Sequence, residues 1–253
     1  MTSDVHVQDL VVEYPGPAGT TRRALNDISL EISEGESFAI VGESGCGKST
    51  LAKVLVGLVT PTRGTVSIGG HSVDELRHSR NRRRIQMVFQ DPGSSLNPRR
   101  RIGAMLAELI RRHRLVPPER VAARLDELME MVGLSPRLLD ALPWSLSGGQ
   151  RQRVAIARAL AVEPRVLIAD EAVSALDVSA QARVINLLAD IRDELGLTLI
   201  FISHDLAVVR TVCDRGAVFK DGQLVEVADI ETLFTNPAAE YTRRLLEAIP
   251  TLE

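Results

Sequence analysis

Apolar and polar positions alternate with period two through the first third of the chain. Val5 and Val7, then Leu10, Val12 and Tyr14, share a face, with a slip at Gln8–Asp9 that predicts a bulged strand. Pro15 to Thr20 reads as a turn-rich loop, and Ile28, Leu30 and Ile32 alternate as a second strand. Ser37 to Val41 is a short apolar run ending at Gly42, and from Lys48 to Leu58 the spacing becomes helical. Gly64 to Ile68 predicts an exposed strand and Ile85 to Phe89 a buried one.

The middle of the chain has helical periodicity. Ile102 to Leu115 and Glu119 to Val132 are amphipathic, separated by Pro117–Pro118, and a third helix is expected from Gly148 to about Ala161. Strand and helix then alternate: Val166 to Ala169, Ser179 to Leu195, Thr198 to Ile202 and Asp205 to Val212. Asp221–Gly222 between Ala217–Lys220 and Leu224–Val227 signals a hairpin, and a last helix is expected near Ala238 to Ala248. This order predicts an α/β fold: a parallel sheet covered by helices, an antiparallel β edge and an inserted helical subdomain.

Composition narrows the function classes. The 253 residues are 45% hydrophobic and 25% charged, ordinary for a globular chain able to bury a sizeable core. The formal net charge of -3 gives no reason to expect nucleic acid as the main partner, and 3% aromatics leaves few stacking platforms. Cys46 and Cys213 form neither a disulfide framework nor metal-ligand spacing. No apolar run reaches the ~18 residues of a membrane span, and the N-terminus lacks signal-peptide character, so a cytoplasmic location is expected. Lysine occurs only at Lys48, Lys53 and Lys220, so any role for a compact ammonium falls to one of these.

The strongest chemical signal is Gly42-Glu43-Ser44-Gly45-Cys46-Gly47-Lys48-Ser49-Thr50, which matches G-x-x-x-x-G-K-[ST] between a strand and a helix. Its glycines let successive N–H groups converge on one anion, and the helix N-terminus adds positive potential there. Lys48 supplies a charge for β- and γ-phosphates, and Ser49 a hydroxyl for Mg²⁺. Cys46 reads as a small loop residue and not a redox centre. The loop alone says only nucleoside triphosphate.

The apolar run Val166-Leu-Ile-Ala ends in Asp170-Glu171. A strand here would place Asp170 beside the loop, where it is suited to hold Mg²⁺, and Glu171 to polarise an attacking water. His204 ends another apolar strand and is read as a γ-phosphate contact, although a lone histidine is commonly structural. Gln90 ends the strand at Ile85 to Phe89, from which its amide would reach either Mg²⁺ or the attacking water.

A second anion cradle is written at Leu146-Ser147-Gly148-Gly149-Gln150, with Ser147 as a helix N-cap before two glycines. One nucleotide seldom needs two such distant loops, so two copies facing head to tail would let each complete the other's site. This run resembles the signature sequence of ABC-transporter ATPase subunits. The resemblance covers essentially the whole chain in family order: Gly42 to Thr50 as Walker A, Gln90 as the Q-loop, Val166 to Glu171 as Walker B, Ser174-Ala-Leu-Asp177 as the D-loop and His204 as the switch histidine. It implies an ATP- and Mg²⁺-dependent ATPase, with a nucleotide-binding core at 1–91 and 160–235, a helical subdomain at 92–159 and a tail at 236–253. Tyr14 falls where the family stacks an aromatic on adenine; the alternative is a strand-end tyrosine packed on the core. Ala172-Val173 stand where many relatives have Pro-Thr; neither position is a phosphate ligand in the family, so little consequence is expected.

Gln90-Asp-Pro-Gly-Ser-Ser-Leu-Asn-Pro98-Arg99, with Asn236-Pro237, Tyr241-Thr-Arg, Leu245-Leu246, Ala248 and Pro250, resembles the branch importing dipeptides, oligopeptides or nickel. The implied partners are a second ATPase subunit, alike or related, membrane permease subunits and an extracytoplasmic solute-binding protein, with this subunit peripheral on the cytoplasmic face. The Arg-rich stretches at Arg77–Arg84, Arg99–Arg101 and Arg111–Arg114 are read first as a solvated face and next as a subunit contact. The rivals are a soluble non-transport ABC ATPase and a nucleotide-binding module that does not hydrolyse.

Overall fold

The computed structural model describes residues 3–16, 19–78, 80–174 and 176–247. Expectations that touched residues 17–18, Ala175, Ala248 and Pro250 lie outside the described residues. The chain opens with strands β1 (Ser3–Pro15), β2 (Thr21–Ser33) and β3 (Ser37–Gly42), then helix α1 (Lys48–Leu55). Strands β4 (Arg63–Ile68) and β5 (His71–Ser72), helix α2 (Val73–His78), a 3₁₀ turn and β6 (Ile85–Val88) follow. The middle is helical: α3 (Pro92–Ser95), α4 (Ile102–His113), α5 (Val121–Met131) and α6 (Gly148–Leu160). Alternation resumes with β7 (Val166–Asp170), α7 (Val178–Leu195), β8 (Thr198–Ile202) and α8 (Leu206–Val212). The chain closes with β9 (Arg215–Lys220), β10 (Gln223–Asp229), α9 (Ile230–Thr235) and α10 (Glu240–Glu247).

Two sheets result. An antiparallel sheet runs in the order β2-β1-β4-β5, and a six-stranded sheet in the order β10-β9-β3-β8-β7-β6. In the larger sheet β9, β3, β8, β7 and β6 are parallel, and β10 closes one edge as an antiparallel hairpin partner. The pleat of β3 sends alternate residues to two cores. Phe38 and Ile40 join α1 and the antiparallel sheet, while Ala39 and Val41 face the helical side with Phe201 and Leu167. Both faces being covered explains why β7 and β8 read as continuous apolar runs.

Local chemistry accounts for the boundaries. The slip at Gln8–Asp9 is a bulge, with register shifts on both neighbours and Asp9 at φ +49°. Asp221 and Gly222 both take positive φ, as the two-residue hairpin turn demands. Helix α1 ends at Leu55, three residues short of the sequence expectation. Gly57 N–H donates to Val54 O and Leu58 N–H to Lys53 O, a double closure that stops the helix. The expected exposed strand β4 is half-buried, because Val66 and Ile68 face the core beneath β1. Helices α2 and α9 were not anticipated; both are six residues long, too short for a periodic signal. Several of the arginines are paired with acids: Arg100 with Glu108, Arg101 with Asp140, and Arg83 with Glu163.

Candidate nucleotide-binding site

All six residues of β3 are buried, and β8 and β9 flank it in parallel. The chain must therefore turn off the sheet in very little space. At Gly42, φ +147°, an added Cβ would sit 2.2 Å from the carbonyl oxygen of Phe219 on β9, so only glycine fits. Helix α1 opens behind Gly47 with no side-chain cap, leaving its first N–H groups for an anion. Lys48 is buried, and its ammonium donates to Gly42 O at 2.7 Å and Glu43 O at 2.8 Å. Burial pushes the Cys46 thiol up despite the lowering influence of Lys48, so it stays a neutral, small loop residue. The cleft above the loop measures about 560 Å³ and is lined by Tyr14, Arg22, Ser44, Lys48, Thr50 and Glu171, among others. That volume suits a nucleotide. Tyr14 is 37% exposed and lines this cleft, which removes the core-packed alternative.

Strand β7 brings the acids to the loop. Ser49 Oγ donates to Asp170 Oδ1 at 3.3 Å. Burial pushes the Asp170 carboxyl up, partly opposed by that hydrogen bond and by Lys53 and Lys48, and reinforced by Glu171. Among the described residues no three His, Cys, Asp or Glu side chains cluster as a metal site. A hydroxyl and a carboxylate side by side nonetheless fit Mg²⁺, which takes one or two protein oxygens plus phosphate and water.

Glu171 departs from the strand it follows. Its N–H still donates to Ile202 O at 2.9 Å, but its φ is +47°, a left-handed conformation costing about 1 kcal/mol for a non-glycine residue. Glu171 Oε1 and Nδ1 of the exposed His204 are 3.5 Å apart. Ser174, whose position carried no chemical assignment of its own in the sequence, ties two elements together. Its hydroxyl donates to Glu171 O at 3.0 Å and accepts from Gln90 Nε2 at 3.2 Å. Besides opening the Ser174-Ala-Leu-Asp177 stretch, it stands three residues after Glu171, the spacing of a serine back-bond.

Ser147 caps α6 in a reciprocal box. Gln150 N–H donates to Ser147 Oγ at 3.3 Å, and Ser147 N–H to Gln150 Oε1 at 3.0 Å. Gln150 is thus a partner of the turn itself, while Gly148 and Gly149 carry no side chain over their N–H groups. Asp177 caps α7, its carboxylate accepting from Ala180 N–H at 2.8 Å and Ser179 Oγ at 2.7 Å. The Ala180 amide, then Ser179, hold the Asp177 carboxyl below its ordinary range. Ser147 to Gln150 and Asp177 line a second cleft of about 180 Å³ with Arg153 and Arg183. It shares no lining residue with the cleft of the phosphate loop. The expected site residues therefore divide into two groups: Tyr14, most of the 42–50 loop, Asp170 and Glu171 in one, with Gln90 and His204 at its rim through Ser174 and Glu171, and the Ser147 turn with Asp177 in the other.

A phosphate loop at the carboxyl edge of a parallel sheet, with an acidic strand end beside it, defines a P-loop nucleoside triphosphatase. The ABC transporter family model matches residues 25–174, and the chain belongs to this family as an ATP-binding, ATP-hydrolysing subunit that powers an ABC transporter. It is 46% identical to a probable peptide ABC transporter ATP-binding protein, y4tS, of Sinorhizobium fredii, over 96% of this chain and 72% of that one. It is 44% identical to the glutathione import ATP-binding protein GsiA of Escherichia coli, over 98% of this chain but only 41% of that protein. Among solved structures, the ATP-binding cassette MJ0796, in a dimeric post-hydrolysis state with ADP and Pi, superposes with a TM-score of 0.79 at 33% identity, covering 89% of this chain and 98% of that one. No helix among the described residues is long and apolar enough to cross a membrane.

Proposed function

We propose that this subunit works in a pair, with a second ATPase subunit, to power import of peptides through membrane permease subunits. The observation that carries the reading is the separation of the two anion cradles into different clefts of one chain. A head-to-tail pair lets the Ser147 turn of one subunit cover the γ-phosphate held by the other's loop. Relatives named for peptide and glutathione import favour peptides over nickel as the solute. The relatives' names and the branch resemblance also favour an extracytoplasmic solute-binding protein and a place on the cytoplasmic face of the membrane.

In this reading Tyr14 stacks on adenine, and Gly42 to Thr50 cradle the phosphates. Ser49, Asp170 and Gln90 would hold Mg²⁺, which neutralises phosphate charge when bound. Glu171 orients and polarises the attacking water, and His204 contacts the γ-phosphate. Asp177 and the Ser147 turn act across the pair. The working division is a core at 1–91 and 160–235, a helical subdomain at 92–159 and a tail at 236–253. The groove lined by Leu58, Arg82, Arg83, Phe89, Leu109 and Arg112 joins core to helices, and it is the docking place assigned to the permease. Loss of the γ-phosphate removes the bridge, reopens the pair and relays through Gln90 and Ser174 to that groove.

The test is Glu171→Gln. Turnover should fall by about 10²–10⁴-fold, and size-exclusion chromatography with ATP should show a stable pair. Full-rate turnover would remove Glu171 from its role. A persistently single subunit with ATP bound would remove a site shared between two copies of this chain.

A further inference from the structure

One wall of the nucleotide cleft comes from the antiparallel sheet. Tyr14 of β1 and Arg22 of β2 are directly opposed in the register, and both line the cleft. Opposed residues share a face of the sheet, with Cβ atoms about 5 Å apart. Ala24, two residues beyond Arg22, lines the cleft as well, as the pleat requires. Among the described lining residues from this sheet, Arg22 is the only charged one. The other charges of the cleft, Lys48 and Glu171, stand in the phosphate loop and after β7.

Two successive arginines differ sharply here. Arg23 points to the opposite face, where Glu13 Oε1 accepts from its Nε at 2.9 Å and Asn26 Oδ1 from its Nη1 at 2.9 Å. Its charge is answered within the sheet. Arg22 is exposed, and among the described residues it has no hydrogen-bond or ion-pair partner.

A nucleotide resting on this wall meets a ring face and a guanidinium side by side. An aromatic face stacks on any base, so Tyr14 makes no choice among them. A guanidinium is a planar fork of N–H donors with no acceptor. The outer edge of guanine offers two adjacent acceptors, O6 and N7, which match that fork. Adenine instead sets an amino donor beside its N7. The fork gains two hydrogen bonds from a 6-oxopurine and one from adenine.

We propose that Arg22 reads the base: it is a specificity-determining residue through which this subunit binds GTP at least as tightly as ATP. The inference rests on the reading that the base lies against Tyr14. It depends neither on pairing of subunits nor on the transported solute.

The test is displacement of the fluorescent analogue mant-ATP by ATP and by GTP on the full chain, with melting temperature alongside. In the parent, GTP should displace the probe at the same concentration as ATP or below it. Arg22→Ala should weaken GTP about five- to tenfold, the low end for a bidentate arginine–guanine pair because the site is open to water. ATP should weaken by about threefold or less. The melting temperature should not move, since no bond within the fold is lost. Arg22→Lys keeps the charge without the fork, and should lose the GTP advantage while holding ATP. Weaker GTP than ATP in the parent, equal losses for both nucleotides in Arg22→Ala, or an undiminished GTP advantage in Arg22→Lys would each overturn the proposal. Tyr14→Ala examines the reading beneath it and should weaken both nucleotides alike. If it weakens neither, the base lies elsewhere and both statements fall. If it weakens both while Arg22→Ala spares GTP, Tyr14 keeps its role and the inference about Arg22 falls alone.

Discussion

The two anion cradles of this chain are made of similar residues and held in opposite ways. The loop at 42–50 grows out of a strand buried on both faces, with its lysine buried and its carbonyls gripped by Lys48 and by Gly222 of a neighbouring hairpin. The turn at Ser147 is held chiefly by its own capping box on the first residues of α6. A cradle built into a core is complete before its ligand arrives. A cradle standing at the exposed cap of a helix has one open side, and a second molecule can supply what it lacks. The difference teaches that the same glycine chemistry serves intrinsic binding in one place and conditional contact in the other.

Substitution of the glycines sharpens this contrast most. Gly42→Ala places a methyl group 2.2 Å from the Phe219 carbonyl in a positive-φ conformation, so backbone must move. The expected cost is about 2–4 kcal/mol of stability with loss of nucleotide binding, read by thermal unfolding and mant-ATP titration. Unchanged unfolding and binding would show that the first cradle is less tightly built than its contacts indicate. Gly149→Ala, in the first turn of α6, meets only the Ala180 methyl of the neighbouring α7 at 3.4 Å. Here stability should hold or rise by up to about 1 kcal/mol, and ATP affinity of the isolated chain should stay within about twofold. Turnover should still fall by about tenfold or more as a donor is covered. Retained turnover would mean that the second cradle never meets a phosphate.

The smallest expected effect is acid sensitivity beside the second cradle. The Asp177 carboxyl is held below the usual carboxylate range by the Ala180 amide and Ser179. Its folded-state value being depressed, its contribution is complete above the unfolded value and is lost as pH falls through the folded one. Asp177→Asn should therefore flatten the dependence of stability on pH only below about pH 4. An identical profile for variant and parent would place the cap outside the stability of α7.

The runs from which the candidate site is built were legible in the sequence. Gly42 to Thr50, Asp170–Glu171 and Ser147 to Gln150 are contiguous runs, and their spacing follows from single turns of backbone. What escaped was made by approach between distant segments: the positive φ at Glu171, the Gln90–Ser174–Glu171 relay, and the Glu226 carboxylate that accepts from three donors at the start of α10. Short helices such as α9 escaped for a different reason, since six residues carry less than two turns of pattern.

The amino-acid order by itself determined a strand–loop–helix phosphate cradle, a second glycine turn with its own cap, and the alternation that makes a parallel sheet. These depend on neighbours a few residues apart, and local sterics and hydrogen bonding decide them. Only the tertiary structure decided that the two cradles open into separate clefts and that α10 is pinned to β10 beside the strands that carry the first loop. Both depend on which strands became neighbours, a choice made by burial over the whole sheet and by no single segment.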